Sequence, residues 1–97
     1  MSELWSVVAT VPEGCVVSYG TVGRALSQPV SGLLVGRWMF QMPAHAAIPW
    51  WRVVGSKGDL LIARRDAALA LTQKEKLEAE GVVFEEDRVR PEFFIVI

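Results

Sequence analysis

Apolar positions along the chain fall into short runs punctuated by glycine, proline and serine. ELWSVVATVPEG predicts a short helix that stops at Pro12-Glu13-Gly14, and CVVS a brief extended piece after it. Ser18 stands where it can cap a second helix in YGTVGRALSQP, with Val22, Ala25 and Leu26 on one face and Gln28-Pro29 as the break. Ser31 can cap a third helix, GLLVGRWMFQM. There Leu34, Val35, Trp38, Met39 and Met42 form a stripe at helical spacing, which predicts a buried face. Leu33, Gly36, Arg37 and Phe40 fall on the opposite side, toward solvent.

Spacing alone fits this helix pair to an ordinary αα-hairpin better than to a DNA-reading helix-turn-helix. The outward face shifts the balance back. Leu33 and Phe40 are apolar where solvent is expected, and Gly36 permits close approach of another backbone. Downstream, MPAHAAIPW predicts a loop, RVVG a strand, and Gly55-Ser56-Lys57-Gly58 a turn. Asp66 can cap a helix running to Glu80 and ending at Gly81, with a thin apolar face of Ala67, Ala70 and Leu77. VVFEED and FFIVI predict strands; FFIVI either joins a sheet edge or meets a partner, and joining is expected.

Composition narrows the class. With 52% apolar content, residues 1–97 are expected to form one folded domain. No apolar run reaches the roughly 18 residues that a bilayer span needs. The amino terminus also lacks a basic-then-apolar leader, so a cytoplasmic protein with no membrane partner is expected. Cys15 and His45 are single examples of their kinds, which excludes an internal disulfide and a zinc-type ligand set; neither metal nor cofactor is expected. The formal net charge of −1 hides an uneven distribution. Residues 1–65 carry six basic and three acidic groups, residues 66–97 four and eight. A mildly basic half can face phosphates.

VPEGCVVSYGTVGRAL, VGRWM, IPWWRVV and LEAEGVVF, in that order, resemble the C-terminal DNA-binding domain of the O6-alkylguanine-DNA alkyltransferases. The resemblance covers roughly residues 3–84, and Val35 to Val54 align without a gap on the family's segment from recognition helix to active-site strand. It implies a mostly helical α/β fold: a winged-helix-like helix-turn-helix domain of the alkyltransferase C-terminal type with short β-strands. The resemblance is to that domain and does not extend to the amino-terminal domain of the full transferases. The family's active site reads Pro-Cys-His-Arg-Val, in which the cysteine accepts the alkyl group and the histidine relays its proton through water to a glutamate. Trp50 and Trp51 stand at the cysteine and histidine positions. An indole N–H only donates and is no nucleophile, so dealkylation by that route is excluded. Cys15, in the turn-to-strand segment, reads as structural.

Tryptophan at the cysteine position resembles the alkyltransferase-like proteins, which bind DNA carrying O6-alkylguanine, flip the damaged base into a pocket and flag it for nucleotide excision repair proteins without reacting. They usually keep the histidine, so Trp51 is a departure. The implied DNA-binding residues are Tyr19, Ser31, Gly32, Leu33, Gly36 and Arg37; the implied lesion pocket is Tyr19, Met42, Trp50, Trp51, Val53 and Arg65. Tyr19 matches the tyrosine that turns the 3′ phosphate. Trp50 would pack the lesion or close the pocket floor, while Trp51 could line the pocket or belong to the core. Arg52 matches an arginine that pairs with a carboxylate beneath the site. Glu80 matches the relay glutamate, with no relay left to serve: a hydrogen bond near the pocket and a solvent position are both open. Arg64 and Arg65 lie where related proteins stack an arginine on the lesion base, and Arg65, directly before Asp66, is preferred. Leu33 replaces the arginine that the family pushes into the duplex, and Met42 replaces a loop asparagine. Leucine can wedge between bases but cannot hydrogen-bond the orphaned cytosine.

The expected partner is therefore double-stranded DNA with O6-alkylguanine, bound by a monomer. The competing readings are a winged-helix DNA-binding module without lesion preference, and a protein-interaction module built on the Leu33/Phe40 face and the FFIVI tail. An enzyme is the weakest reading, because one histidine and one cysteine assemble no Ser-His-Asp or Cys-His constellation.

Overall fold

A computed structural model describes residues 2–41 and 48–97. Helix α1 (Ser2–Ala9) leads to strand β1 (Val17–Ser18), then to α2 (Tyr19–Ala25) and α3 (Gly32–Gln41). Strand β2 (Val53–Val54) and helix α4 (Ala67–Ala79) follow, then β3 (Phe84–Glu85) and β4 (Arg88–Val89). The expected class, helices with short strands around a helix-turn-helix, is what the chain adopts.

The three expected helix caps are present. Ser18 accepts from the Thr21 N–H at 3.0 Å, Ser31 from the Leu34 N–H at 3.2 Å, and Asp66 from the Leu69 N–H at 3.1 Å. Gly81, at φ +93°, ends α4 as predicted. The α2–α3 turn crosses α2 so closely that a Cβ on Gly23 would lie 2.2 Å from the Val30 carbonyl oxygen. A larger residue there would push the turn off the helix.

β1 and β2 pair in parallel, Val17 with Val53 and Ser18 with Val54. Their pleat divides the core, because successive side chains leave opposite faces. Val17 and Val53 join Leu4, Trp5, Val8, Val11, Tyr19, Val22 and Val35 on one side. Val16 and Val54 join Leu77, Val82 and Val89 on the other. The strand expected at FFIVI does not form: Pro91–Phe93 make a 3₁₀ turn, and the tail meets the residue before β1 through a single parallel bridge between Val16 and Phe94. Val16 donates to the Phe93 carbonyl and accepts from the Ile95 N–H, each at 2.9 Å.

Several expectations are corrected. The strand expected at RVVG is confined to Val53–Val54, because Trp50–Arg52 form a 3₁₀ turn closed by Arg52 N–H donating to the Pro49 carbonyl at 3.1 Å. Of VVFEED only Phe84–Glu85 is strand, in a hairpin with β4 that turns through Glu86 and Asp87 at φ 53° and 64°. Ala67 is exposed, and the buried face of α4 is Ala70, Gln73 and Leu77. That face carries a glutamine at the step where the apolar pattern shows a gap.

The Trp50–Arg52 turn is fixed by the Glu80 carboxylate at the end of α4. Glu80 accepts from Arg52 Nη2 at 2.7 Å and Nε at 3.0 Å, from Trp51 Nε1 at 2.9 Å, and from the Gly14 main chain at 3.1 Å. Arg52 Nη1 donates in turn to the Val11 carbonyl at 2.8 Å. The Arg52 and Glu80 side chains are 14% and 9% exposed. Burial pushes the Glu80 carboxyl up, but hydrogen bonds from Arg52, Gly14 and Trp51 and the arginine charge outweigh it and hold the group below its ordinary value.

Glu80→Ala strands the guanidinium of Arg52, and urea unfolding is expected to show a loss of about 3–5 kcal/mol. Because its carboxyl is held low in the folded state, Glu80 contributes stability above the ordinary glutamate range. That contribution disappears as pH falls through that range, near ~4.3, and below it. Stability measured against pH should therefore fall less steeply on the acid side for Glu80→Ala than for the parent.

Candidate functional site

Two surfaces meet where α2 and α3 face the start of α4. On the outer one, Ser31, Leu33 and Arg37 are exposed along the first turns of α3, with Leu33 79% exposed. Gly32 is half-buried against the start of α2, where a Cβ would lie 2.8 Å from the Gly20 nitrogen. Gly36 was expected to face outward but is buried. The Tyr19 ring covers it, with Cδ1 3.8 Å from where a Cβ would stand, and Phe40 closes the other side at 3.9 Å.

Tyr19 itself is 7% exposed and packs edge-on to Phe40, ring centroids 6.1 Å apart. Burial, reinforced by the charge of Asp59, pushes its phenol far above the ordinary tyrosine value, so the hydroxyl keeps its proton at any physiological pH. Its ring is turned to the interior, where a cavity lies.

That cavity has a volume of about 360 Å³, within the roughly 300–1,000 Å³ of small-molecule sites. Trp5, Tyr19, Phe40 and Trp50 give it aromatic walls; Met39, Ile62 and Leu69 add aliphatic surface; Arg65, Asp66 and Gln73 supply the polar groups. The two adjacent indoles therefore leave the space open. They also part company. Their rings stand at 86°, with centroids 6.0 Å apart. Trp50 faces the cavity, while Trp51 is drawn away by its hydrogen bond to Glu80 and covered by the Lys76 ammonium 4.7 Å from its ring centre.

The expected pocket residues divide accordingly. Tyr19, Trp50 and Arg65 line the cavity. Trp51 does not, for the reason just given. Val53 does not either: its pairing with Val17 commits it to the fully buried core behind the wall. Met42 lies outside the described residues. Arg65 sits at the cavity with its guanidinium carbon 5.1 Å from the Phe40 ring centre, and Arg64 is not among the lining residues. Arg52 is the structural ion-pair partner described above, and of the two positions open for Glu80 the hydrogen-bonded one is occupied.

Sequence reading missed Trp5, Met39, Phe40, Ile62, Asp66, Leu69 and Gln73 as lining residues. Phe40 left a signal as an apolar residue on the outward side of α3, and Gln73 left one in its place between Ala70 and Leu77 on one helix face. The polar groups of the lining residues are a guanidinium, a carboxylate, an amide, a phenol and two indole N–H donors, and Cys15 packs against the core elsewhere. Such a site can hold a flat aromatic ligand between rings and give it a few directed hydrogen bonds.

Residues 1–82 match the family model described as 6-O-methylguanine DNA methyltransferase, DNA binding domain. A DNA base-flipping protein of Vibrio parahaemolyticus is 32% identical over 80 residues, covering 82% of this chain and 77% of its own length. The DNA base-flipping protein of Escherichia coli K12 is 34% identical over 81 residues, 84% of this chain; the match spans only 60% of that relative. Among solved structures, Schizosaccharomyces pombe Atl1 in complex with damaged DNA containing O6-carboxymethylguanine superposes with a TM-score of 0.82 at 28% identity, over 99% of this chain and 94% of that one. A helix-turn-helix beside an aromatic cavity, a family match over most of the chain and these identities agree: the chain belongs to the family of the 6-O-methylguanine-DNA methyltransferase DNA-binding domain.

Proposed function

We propose that this chain binds double-stranded DNA carrying O6-alkylguanine, holds the damaged base in the cavity beside Trp50, and leaves the alkyl group in place. The observation that carries the reading is an open aromatic cavity directly behind the exposed face of α3; the motif resemblance adds that Trp50 stands at the family's acceptor-thiol position. The base-flipping relatives and the damaged-DNA complex of Atl1 support it.

Each step has an energetic source. Extruding a base costs a few kcal/mol, and less when its pairing is already weakened, as by alkylation at O6. Stacking against the aromatic walls returns about 1–3 kcal/mol, and the Trp50 indole adds apolar surface for the alkyl group. Leu33 fills the vacated place in the duplex as an apolar wedge. The start of α3, with Ser31 and Gly32, approaches the backbone, and Arg37 one turn on meets a phosphate. Tyr19 contributes the ring over which the nucleotide turns, and Arg65 stacks on the captured base. A monomer of this kind marks the lesion for nucleotide excision repair proteins in the cytoplasm. Among the described residues, no helix is long and apolar enough to cross a membrane.

Fluorescence anisotropy on matched duplexes tests the reading. O6-methylguanine DNA is expected to bind at least tenfold tighter than unmodified DNA, about 1.4 kcal/mol, and to be recovered with its methyl group. Equal affinities would leave a general DNA-binding module, and loss of the methyl group would make the chain an enzyme. Trp50→Ala is expected to reduce the preference about tenfold, given the stacking range of about 1–3 kcal/mol. Leu33→Arg is expected to tighten binding to lesion DNA and to steepen its salt dependence, since it adds a cation at the duplex.

A further inference from the structure

The basic half of the chain holds a cation that the reading above leaves without a task. Arg24 is exposed and lies in the last turn of α2. Among the described residues the ion pairs take Arg52, Lys74 and Arg90, and no carboxylate pairs with Arg24. The helix dipole favours a cation beside the last carbonyls. Arg24 runs the other way. Its Nη2 donates to Thr21 Oγ1 at 3.4 Å, and its Nη1 stands 3.4 Å from where a Cβ on Gly20 would be. The guanidinium is thus folded back over the first turn of α2, in the space that a side chain at position 20 would otherwise fill.

That placement is prepared by the turn beneath it. Ser18 Oγ accepts from the Thr21 N–H and donates to Thr21 Oγ1, both at 3.0 Å. Thr21 is buried, so the capped turn fixes the oxygen that anchors Arg24. One long bond uses one of five guanidinium N–H groups, and most of the planar fork is left for an anion rich in oxygen. The neighbourhood says which anion. A Cβ on Gly32 would lie 2.8 Å from the Gly20 nitrogen, so the start of α3 rests on the same glycine that the guanidinium covers. Arg24 therefore flanks the Ser31–Leu33 turn, the part of α3 that the proposed function sets against the duplex backbone. A guanidinium fits a phosphate through two parallel N–H···O bonds.

We infer that Arg24 is a phosphate clamp: it binds a phosphodiester of the strand that the start of α3 approaches. This deepens the DNA-holding reading and rests on it. Contacts of this kind set register and orientation but carry no base information. Arg24 thus strengthens binding to sound and damaged DNA alike, and the choice between them is left to the cavity.

The experiment is a salt series followed by fluorescence anisotropy, on O6-methylguanine duplex and on unmodified duplex. It compares the parent protein with Arg24→Ala, Arg24→Lys and Arg88→Ala. Arg88 is an exposed arginine of the β3–β4 hairpin and controls for loss of net charge alone. Arg24→Ala is expected to weaken binding to both duplexes by the same factor, about threefold to tenfold, the range of one hydrogen bond. The slope of log affinity against log salt should fall by about 0.9, one phosphate contact. Arg24→Lys keeps the charge and is expected to keep the slope. If Arg24→Ala does not fold, Arg24→Gln takes its place, retaining a donor for Thr21 without the charge. An unchanged slope on loss of the guanidinium overturns the assignment, and so does an equal fall in Arg88→Ala. An effect confined to the lesion duplex overturns it too, because Arg24 would then act on the base. A parent that binds both duplexes equally ends the lesion reading alone, since the slope is read on either. A parent that binds neither ends both.

Discussion

A single carboxylate sets the geometry on which the site depends. Glu80 gathers donors from three residues on two separate stretches: the Gly14 turn, and the neighbouring Trp51 indole and Arg52 guanidinium. Through Arg52 it also reaches the Val11 carbonyl. The segment between α1 and β1, the turn before β2 and the end of α4 are thus held to one point. Satisfied donors make this arrangement stable, and removal of any one leaves a desolvated polar group behind.

This anchoring distributes the two tryptophans. A chain with two adjacent bulky rings could bury both or expose both. Here Trp51 is taken by the carboxylate and covered by cations on its face, and the roughly perpendicular arrangement of the rings leaves Trp50 facing the cavity. The Trp51 indole donates to the glutamate, and it has no lone pair with which to pass a proton on. Gln73 fixes the same turn from the other side, through the Trp51 and Val53 carbonyls.

What was legible in the sequence was local. Caps at Ser18, Ser31 and Asp66 need only an oxygen three residues ahead of a free amide, and the stop at Gly81 needs only a residue at ease with positive φ. What was not legible depends on partners far along the chain. Gly36 falls outward by helical phase, yet the Tyr19 ring from α2 roofs it. Trp51 and Val53 sit next to a lining residue, but a 3₁₀ turn and a parallel ladder send them elsewhere. β4 escaped notice because its residues, Arg88 and Val89, follow a charged run and a turn without glycine, Glu86-Asp87. A buried glutamine on α4 breaks the apolar stripe by which a core face is recognised. The DNA-contacting roles came from motif resemblance; charge balance alone permitted them without pointing to them.

The bare leucine on α3 changes how affinity would be divided between stages of binding. An arginine at that place is attracted to any duplex, so part of its contribution is felt before a base has moved. Leu33, 79% exposed, gains nothing from an intact helix and stays wetted beside it. Its transfer out of water is worth about 1.5–3 kcal/mol, and that gain arrives only once a gap exists to receive it. On the proposed reading, the first encounter would be weak and governed by ionic strength, while the committed complex would owe its lifetime to a term that salt hardly screens. A searcher built this way lingers little on sound DNA and dwells where the stack has already failed.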